Sequence, residues 1–150
     1  MAESGAQAVE QVLDNFDALA QTAKEQESAL STNTKKIEKS EGFLQFSNLA
    51  AELLYNRWRA FSGIIPLYTR FRGNRLTLHE LSRPSPGLEL PQLEKPGQAL
   101  YHKPCRALIV KAGDGALVAC TKLQLENKKA VDARNFANGF LVSTPVAHFE

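Results

Sequence analysis

Beyond Pro66 the apolar residues of this chain recur at every second position, and this switch of period is its strongest constraint on fold. Residues 67–72 and 75–81 alternate on either side of Gly73-Asn74, a two-residue hairpin signal. Closing the hairpin there pairs Arg72 with Arg75, Phe71 with Leu76, Arg70 with Thr77, Thr69 with Leu78 and Tyr68 with His79. Opposed residues share a face. One face then carries Thr69, Phe71, Leu76 and Leu78, a core face. The other carries Tyr68, Arg70, Arg72, Arg75, Thr77 and His79, with no carboxylate among them. Arg72 opposite Arg75 is a like-charge pair, which costs up to about 1 kcal/mol unless an anion is supplied.

Three more strands are predicted at 98–102, 106–111 and 116–125, the last two joined by the turn Ala112-Gly113-Asp114-Gly115. Residues 84–97 form a Pro-rich excursion of no predictable local shape. Ahead of the hairpin a helix is expected from about 48 to 61, with Ser47 as its N-cap. Leu49, Ala50, Leu53, Leu54, Trp58, Ala60 and Phe61 fall on one half of its wheel, and Glu52, Asn56 and Arg59 on the other. Arg57 lands in the apolar arc, where it is expected to snorkel or pair with a carboxylate, a functional role being the lesser alternative. Asp132 is expected to cap a short helix over 133–138, stopped by Gly139. One helix, about five strands and long irregular connections predict a mainly β fold with flanking helices. The expected form is a partly open barrel of the OB type.

The first residues behave differently. Val9, Val12, Leu13, Phe16 and Leu19 recur at helical spacing within 5–24, which predicts one amphipathic helix. Residues 21–39 are polar and aperiodic, a linker. The helix therefore has a face to bury and no adjoining element to bury it on. Charge follows the same division. Residues 1–34 hold one base and six acids, a charge of −5, and 35–150 hold 17 bases and ten acids, a charge of +7. The total of +2 conceals a basic body suited to a polyanionic partner. Its phosphate contacts would give affinity and orientation without reading bases.

Other classes are excluded. No apolar run approaches the roughly 18–20 residues of a membrane span, and neither a secretory signal nor a transit peptide is visible. Cys105 and Cys120 are too few for a disulfide scaffold or a zinc cluster, and both read as reduced, packed thiols. His79, His102 and His148 show no metal spacing. Residues 111–115 lack the Lys-Ser/Thr ending of a phosphate loop, and no G-x-S-x-G elbow occurs. Neither cysteine stands near a histidine in a nucleophile pattern, and His79-Glu80 lies on a strand. No catalytic residue and no metal ligand is assigned.

Read in order, five segments resemble the C-terminal domain of methionyl-tRNA formyltransferases. They are Thr34-Lys35-Lys36-Ile37-Glu38-Lys39-Ser40-Glu41-Gly42, Asn56-Arg57-Trp58-Arg59-Ala60-Phe61, Gly73-Asn74-Arg75-Leu76, Gly113-Asp114-Gly115-Ala116-Leu117, and the stretch from Asp132 to Phe140. Ser62-Gly63-Ile64-Ile65-Pro66-Leu67 replaces the usual bacterial Pro-Trp-Pro-Gly-Ala run and looks more like mitochondrial members. The resemblance implies an OB-like domain that supports initiator methionyl-tRNA. Formyl transfer from the co-substrate 10-formyltetrahydrofolate would belong to an N-terminal domain whose Asn–His–Asp constellation has no counterpart here. It further implies three parts: 1–27, the last helix of that domain; 28–42, a linker; and 43–150, the tRNA-supporting domain.

The expected tRNA contacts are Lys35, Lys36 and Lys39, by family match of the linker, with Arg59, Tyr68, Arg70, Arg72, Arg75 and Arg83 from the basic body. A monomer that binds tRNA without base specificity, binds no cofactor and catalyses nothing alone is expected, with no membrane partner and, by resemblance, a mitochondrial location. A free-standing OB-like RNA-binding or interaction module, using 5–24 as a docking helix, is the alternative. A structural interaction domain without a nucleic-acid role is a third.

Overall fold

In the computed structural model, which describes residues 2–150, the chain divides into two units, one ending at Lys36 and the other spanning Ile37–Glu150. The first unit holds two helices where the sequence suggested one, α1 (Ala2–Asp14) and α2 (Phe16–Thr22). They part at Asn15, whose φ of −125° and ψ of 28° are not helical. Its side-chain amide donates to the Gln11 carbonyl at 3.1 Å, the local backbone competition that makes Asn a poor mid-helix residue. Within their unit neither helix buries a residue. No helix among the described residues is long and apolar enough to cross a membrane.

The second unit is built on seven antiparallel strands: β1 (Tyr68–Phe71), β2 (Asn74–Ser82), β3 (Gln98–His102), β4 (Ala107–Lys111), β5 (Leu117–Leu125), β6 (Val131–Asp132) and β7 (Val146–His148). Their order is β1-β2-β5-β4-β3-β7, with β6 beside β5. A single bridge between Phe71 and Phe149 joins the two ends of the path. The sheet is thus a nearly closed barrel, as the OB-type reading expected. Two of its strands, β6 and β7, carry too few residues to register as a pattern. Helices α3 (Ala51–Phe61) and α4 (Ala133–Phe140) flank it. Fully buried Phe46, Phe136 and Phe149 fill the interior with Leu54, Leu76, Leu108, Val110 and Leu123. Thr69, the one buried polar side chain among the described residues, donates to the Glu150 carbonyl at 2.8 Å.

The Pro-rich excursion covers the outside of this barrel. Leu93 packs there with Ala107, Ile109 and Ala119, and Lys111 Nζ donates to the Leu93 carbonyl at 2.7 Å. That is why β4 reads as an unbroken apolar run: Leu108 and Val110 face the core, Ala107 and Ile109 face the excursion.

Three local expectations are corrected. The hairpin turns on Arg72-Gly73, with φ of 51° and 75°, the two positive values of a type I′ turn. Its register is Tyr68–Thr77, Thr69–Leu76, Arg70–Arg75 and Phe71–Asn74. The slip is of two residues, so both faces keep their parity while the opposed pairs change. Helix α3 starts at Ala51 rather than near 48, and Ser47 does not cap it. Its first N–H instead donates to both carboxylate oxygens of Asp114 at 3.3 Å, from the β4–β5 turn. Gly113 in that turn lies so close to the backbone of Ser47 and Asn48 that a Cβ would stand 2.8 Å from the Ser47 carbonyl oxygen. Finally, α4 runs through Gly139 to Phe140, so this glycine is no stop signal, although Asp132 caps the helix by accepting from the Asn135 N–H at 2.7 Å.

Candidate nucleic-acid interface

The outward face of the β1–β2 hairpin carries Tyr68, Arg70, Arg75 and Thr77. Arg70 stands opposite Arg75, so the like-charge pair exists but with a different member than the sequence suggested. Each cation is partly accommodated. The Arg75 guanidinium lies 3.8 Å from the centroid of the Tyr68 ring. Arg70 Nε is 3.9 Å from the Glu150 carboxylate, with both side chains more than half exposed, a pair worth little in water. Glu126 also reaches this edge, accepting from the Arg75 backbone N–H at 3.2 Å. The face is therefore not free of acids, as the sequence suggested. Two carboxylates border it, brought by the chain end and by the loop after β5.

Arg72 leaves this face. As a central turn residue it swings toward α4, where Nη2 donates to the Phe140 carbonyl at 3.2 Å and the guanidinium rests 4.9 Å from the Phe71 ring. A cation at a helix C-terminus is well placed electrostatically. His79 also loses its expected partner. It sits at an irregularity between Leu78 and Glu80, its Nε2 2.9 Å from Gln124 Oε1, while its carbonyl accepts from the Trp58 indole at 3.3 Å.

The other expected contacts fall into separate places. Arg59 and Arg83 flank Tyr55 on α3, 5.7 and 5.2 Å from its ring centroid. Arg83 is also hydrogen-bonded to Glu52 at 2.5 Å, so its charge is locally balanced. Arg57 is half-buried and makes no ion pair among the described residues. Lys39 opens a 3-10 turn, Lys39–Gly42, which leads into Phe43; Phe43 bridges Tyr68, with ring centroids 5.5 Å apart. Lys35 and Lys36 belong to the first unit and are exposed. The hairpin face thus gathers Tyr68, Arg70 and Arg75, with Arg75 on the Tyr68 ring and Arg70 only weakly offset by the exposed Glu150.

The two thiols are both packed but to different degrees: Cys105 packs half-buried against the Leu93 cluster, and only Cys120 is fully enclosed. Cys120 is fully buried in β5, and burial pushes its pKa up to about 12. Cys105 lies in the β3–β4 turn, half-buried, with Sγ 3.1 Å from His102 Nδ1. A histidine does therefore meet a cysteine here, through a turn that brings residue i onto i+3. A disulfide reagent is expected to titrate one thiol, Cys105, in the native protein and two after unfolding; rapid reaction of Cys120 in the folded chain would contradict its burial.

Comparison with known proteins agrees with this architecture. The family model described as "Formyl transferase, C-terminal domain" matches residues 36–141. A methionyl-tRNA formyltransferase of Acidobacterium capsulatum is 30% identical over 139 residues, covering 93% of this chain and 42% of the relative. That of Campylobacter jejuni strain RM1221 is 34% identical over 140 residues, with the same 93% and 42% coverage. The chain thus spans less than half the length of these bacterial relatives. A variant of HypX from Aquifex aeolicus superposes with a TM-score of 0.55 at 16% identity, covering 91% of this chain and 24% of that one, which is a likeness of fold.

Proposed function

The chain belongs to the formyl transferase C-terminal domain family, and from that membership we propose that it is the tRNA-holding part of a methionyl-tRNA formyltransferase. Its partner is initiator methionyl-tRNA, held while a preceding domain transfers the formyl group from 10-formyltetrahydrofolate. The observation that carries this reading is Arg70 opposite Arg75, with the Tyr68 ring under one of them. Two cations opposed across a hairpin are costly unless an anion lies over them; the exposed Glu150 offsets Arg70 only weakly, and a phosphodiester backbone supplies the rest.

The relatives' names support the choice of substrate. The apolar stripe of residues 5–24, unburied within its unit, supports its assignment to the end of the preceding domain. The Ser62-Gly63-Ile64-Ile65-Pro66-Leu67 run supports a mitochondrial-type member. The chain acts as a monomer and, alone, binds tRNA without performing the transfer.

The test is titration of the 150-residue chain with initiator tRNA at increasing salt. Log K should fall linearly with log salt, by about 0.7–0.9 per phosphate engaged. Salt-independent binding, or none, would reject the tRNA partner. Formyl transfer by the chain alone would reject the division of labour.

A further inference from the structure

A second group of cations lies away from the hairpin face. Lys103 and Arg106 from the β3–β4 turn and Arg134 from the first turn of α4 line one open groove of about 750 Å³, together with Tyr101, Asp132 and Asn138. All three cations are exposed, and none makes an ion pair among the described residues. The one carboxylate in the lining, Asp132, is committed elsewhere: it accepts from the Asn135 N–H at 2.7 Å and from the Asn135 side chain at 3.1 Å. Arg106 is held at a φ of 49°, a left-handed conformation that costs a non-glycine residue energy at a turn where glycine would sit freely. The groove thus sets three cations against one carboxylate, and none of the three is paired with it.

From these residues we propose that the groove is a phosphoryl-binding site, distinct from the hairpin face. On the reading of the preceding subsection, which this assignment of ligand rests on, it grips a second stretch of tRNA backbone. Its placement suits that use. The hairpin tip meets the C-terminal end of α4, where Arg72 holds the Phe140 carbonyl, and the groove runs beside the same helix from Asp132 to Asn138. Eight helical residues span about 12 Å, so the groove lies within about that distance of the hairpin turn. Two anchors fix the line along which a backbone lies, which a single patch cannot do.

The experiment has two arms on the full chain. In the first, inorganic tripolyphosphate is titrated at low salt, followed by backbone amide NMR shifts. The amides of Lys103, Arg106 and Arg134 should move, and should stay still in the variant Lys103→Gln, Arg106→Gln, Arg134→Gln. Absence of movement in the parent chain overturns the site, whatever tRNA does. In the second arm, tRNA affinity of that variant is compared across salt. Its log–log slope should be lower by about 2, from three lost contacts at about 0.7–0.9 each. A slope equal to the parent's overturns the assignment to tRNA. A parent chain that shifts with tripolyphosphate and ignores tRNA overturns the proposed partner and confines the groove to smaller phosphates.

Discussion

Replacing Gly97 with Ala should cost the second unit about 3 kcal/mol, from about 1–2 for an L residue at positive φ and about 1–3 for overpacking. Gly97 has a φ of +85° and joins two strands at the entrance to β3. Its N–H donates to the Lys111 carbonyl at 2.8 Å, and its carbonyl accepts from the Phe149 N–H at 2.8 Å. A Cβ there would press on the Phe149 carbonyl oxygen and stand 2.6 Å from the His148 ring. The segment in its path closes the barrel, and Phe149 cannot yield, because its ring is buried edge-on against Phe46 and Phe71. With total stabilities of about 5–15 kcal/mol, such a loss is large. Urea midpoints measure it. Gly87→Ala is the control for φ alone, since Gly87 has a φ of +83° with nothing within 4 Å of a Cβ. Gly139→Ala, inside α4 and equally open, should instead stabilise by up to about 1 kcal/mol. If Gly97→Ala costs no more than Gly87→Ala, the close contact does not govern closure.

The hairpin shows how far the sequence could be read. Period-two alternation assigned Thr69, Phe71, Leu76 and Leu78 to the core, and they are buried there, because a slip of two residues leaves parity intact. The register itself depended on which two residues occupy the turn, and Arg72-Gly73 won over Gly73-Asn74. That choice moved Arg72 off the basic face and put Arg70 opposite Arg75. Strand β4 and the Asp132 cap were legible for the same reason, each being decided within a few residues.

What the sequence hid was long-range. The α3 cap comes from Asp114, 63 residues away. Strand β7 has only three residues and owes its form to β3. The acids at the hairpin edge, Glu126 and Glu150, reach it only after folding. The groove cations lie on two separate turns, and no pattern of spacing links Lys103 and Arg106 with Arg134. The contact of His102 with Cys105 is the exception: a turn over 103–106, closed by the Arg106 N–H on the Lys103 carbonyl at 3.1 Å, could have suggested it.

Arg70→Thr with Arg75→Thr should lower tRNA affinity about tenfold or more and reduce the salt slope by about 1.5, the loss expected for two phosphate contacts. Threonine is chosen because reversal to glutamate would leave a like-charge pair and add repulsion from Glu150 and Glu126. Neutral residues of high strand preference remove the Arg–Arg repulsion and also the stacking of Arg75 on Tyr68. These effects oppose each other, each worth about 0.5–1 kcal/mol at an exposed site. The urea midpoint should therefore stay near that of the parent while binding falls. Arg72→Asn supplies the contrast. Asparagine suits a positive-φ turn position, and the Arg72 side chain is spent on Phe140 and Phe71 rather than on the basic face. Its affinity should remain close to the parent's. A loss in log K from Arg72→Asn half that of the double variant, in proportion to the charge removed, would mean that net charge alone drives binding. Loss only with Arg70 and Arg75 places the phosphates over the hairpin.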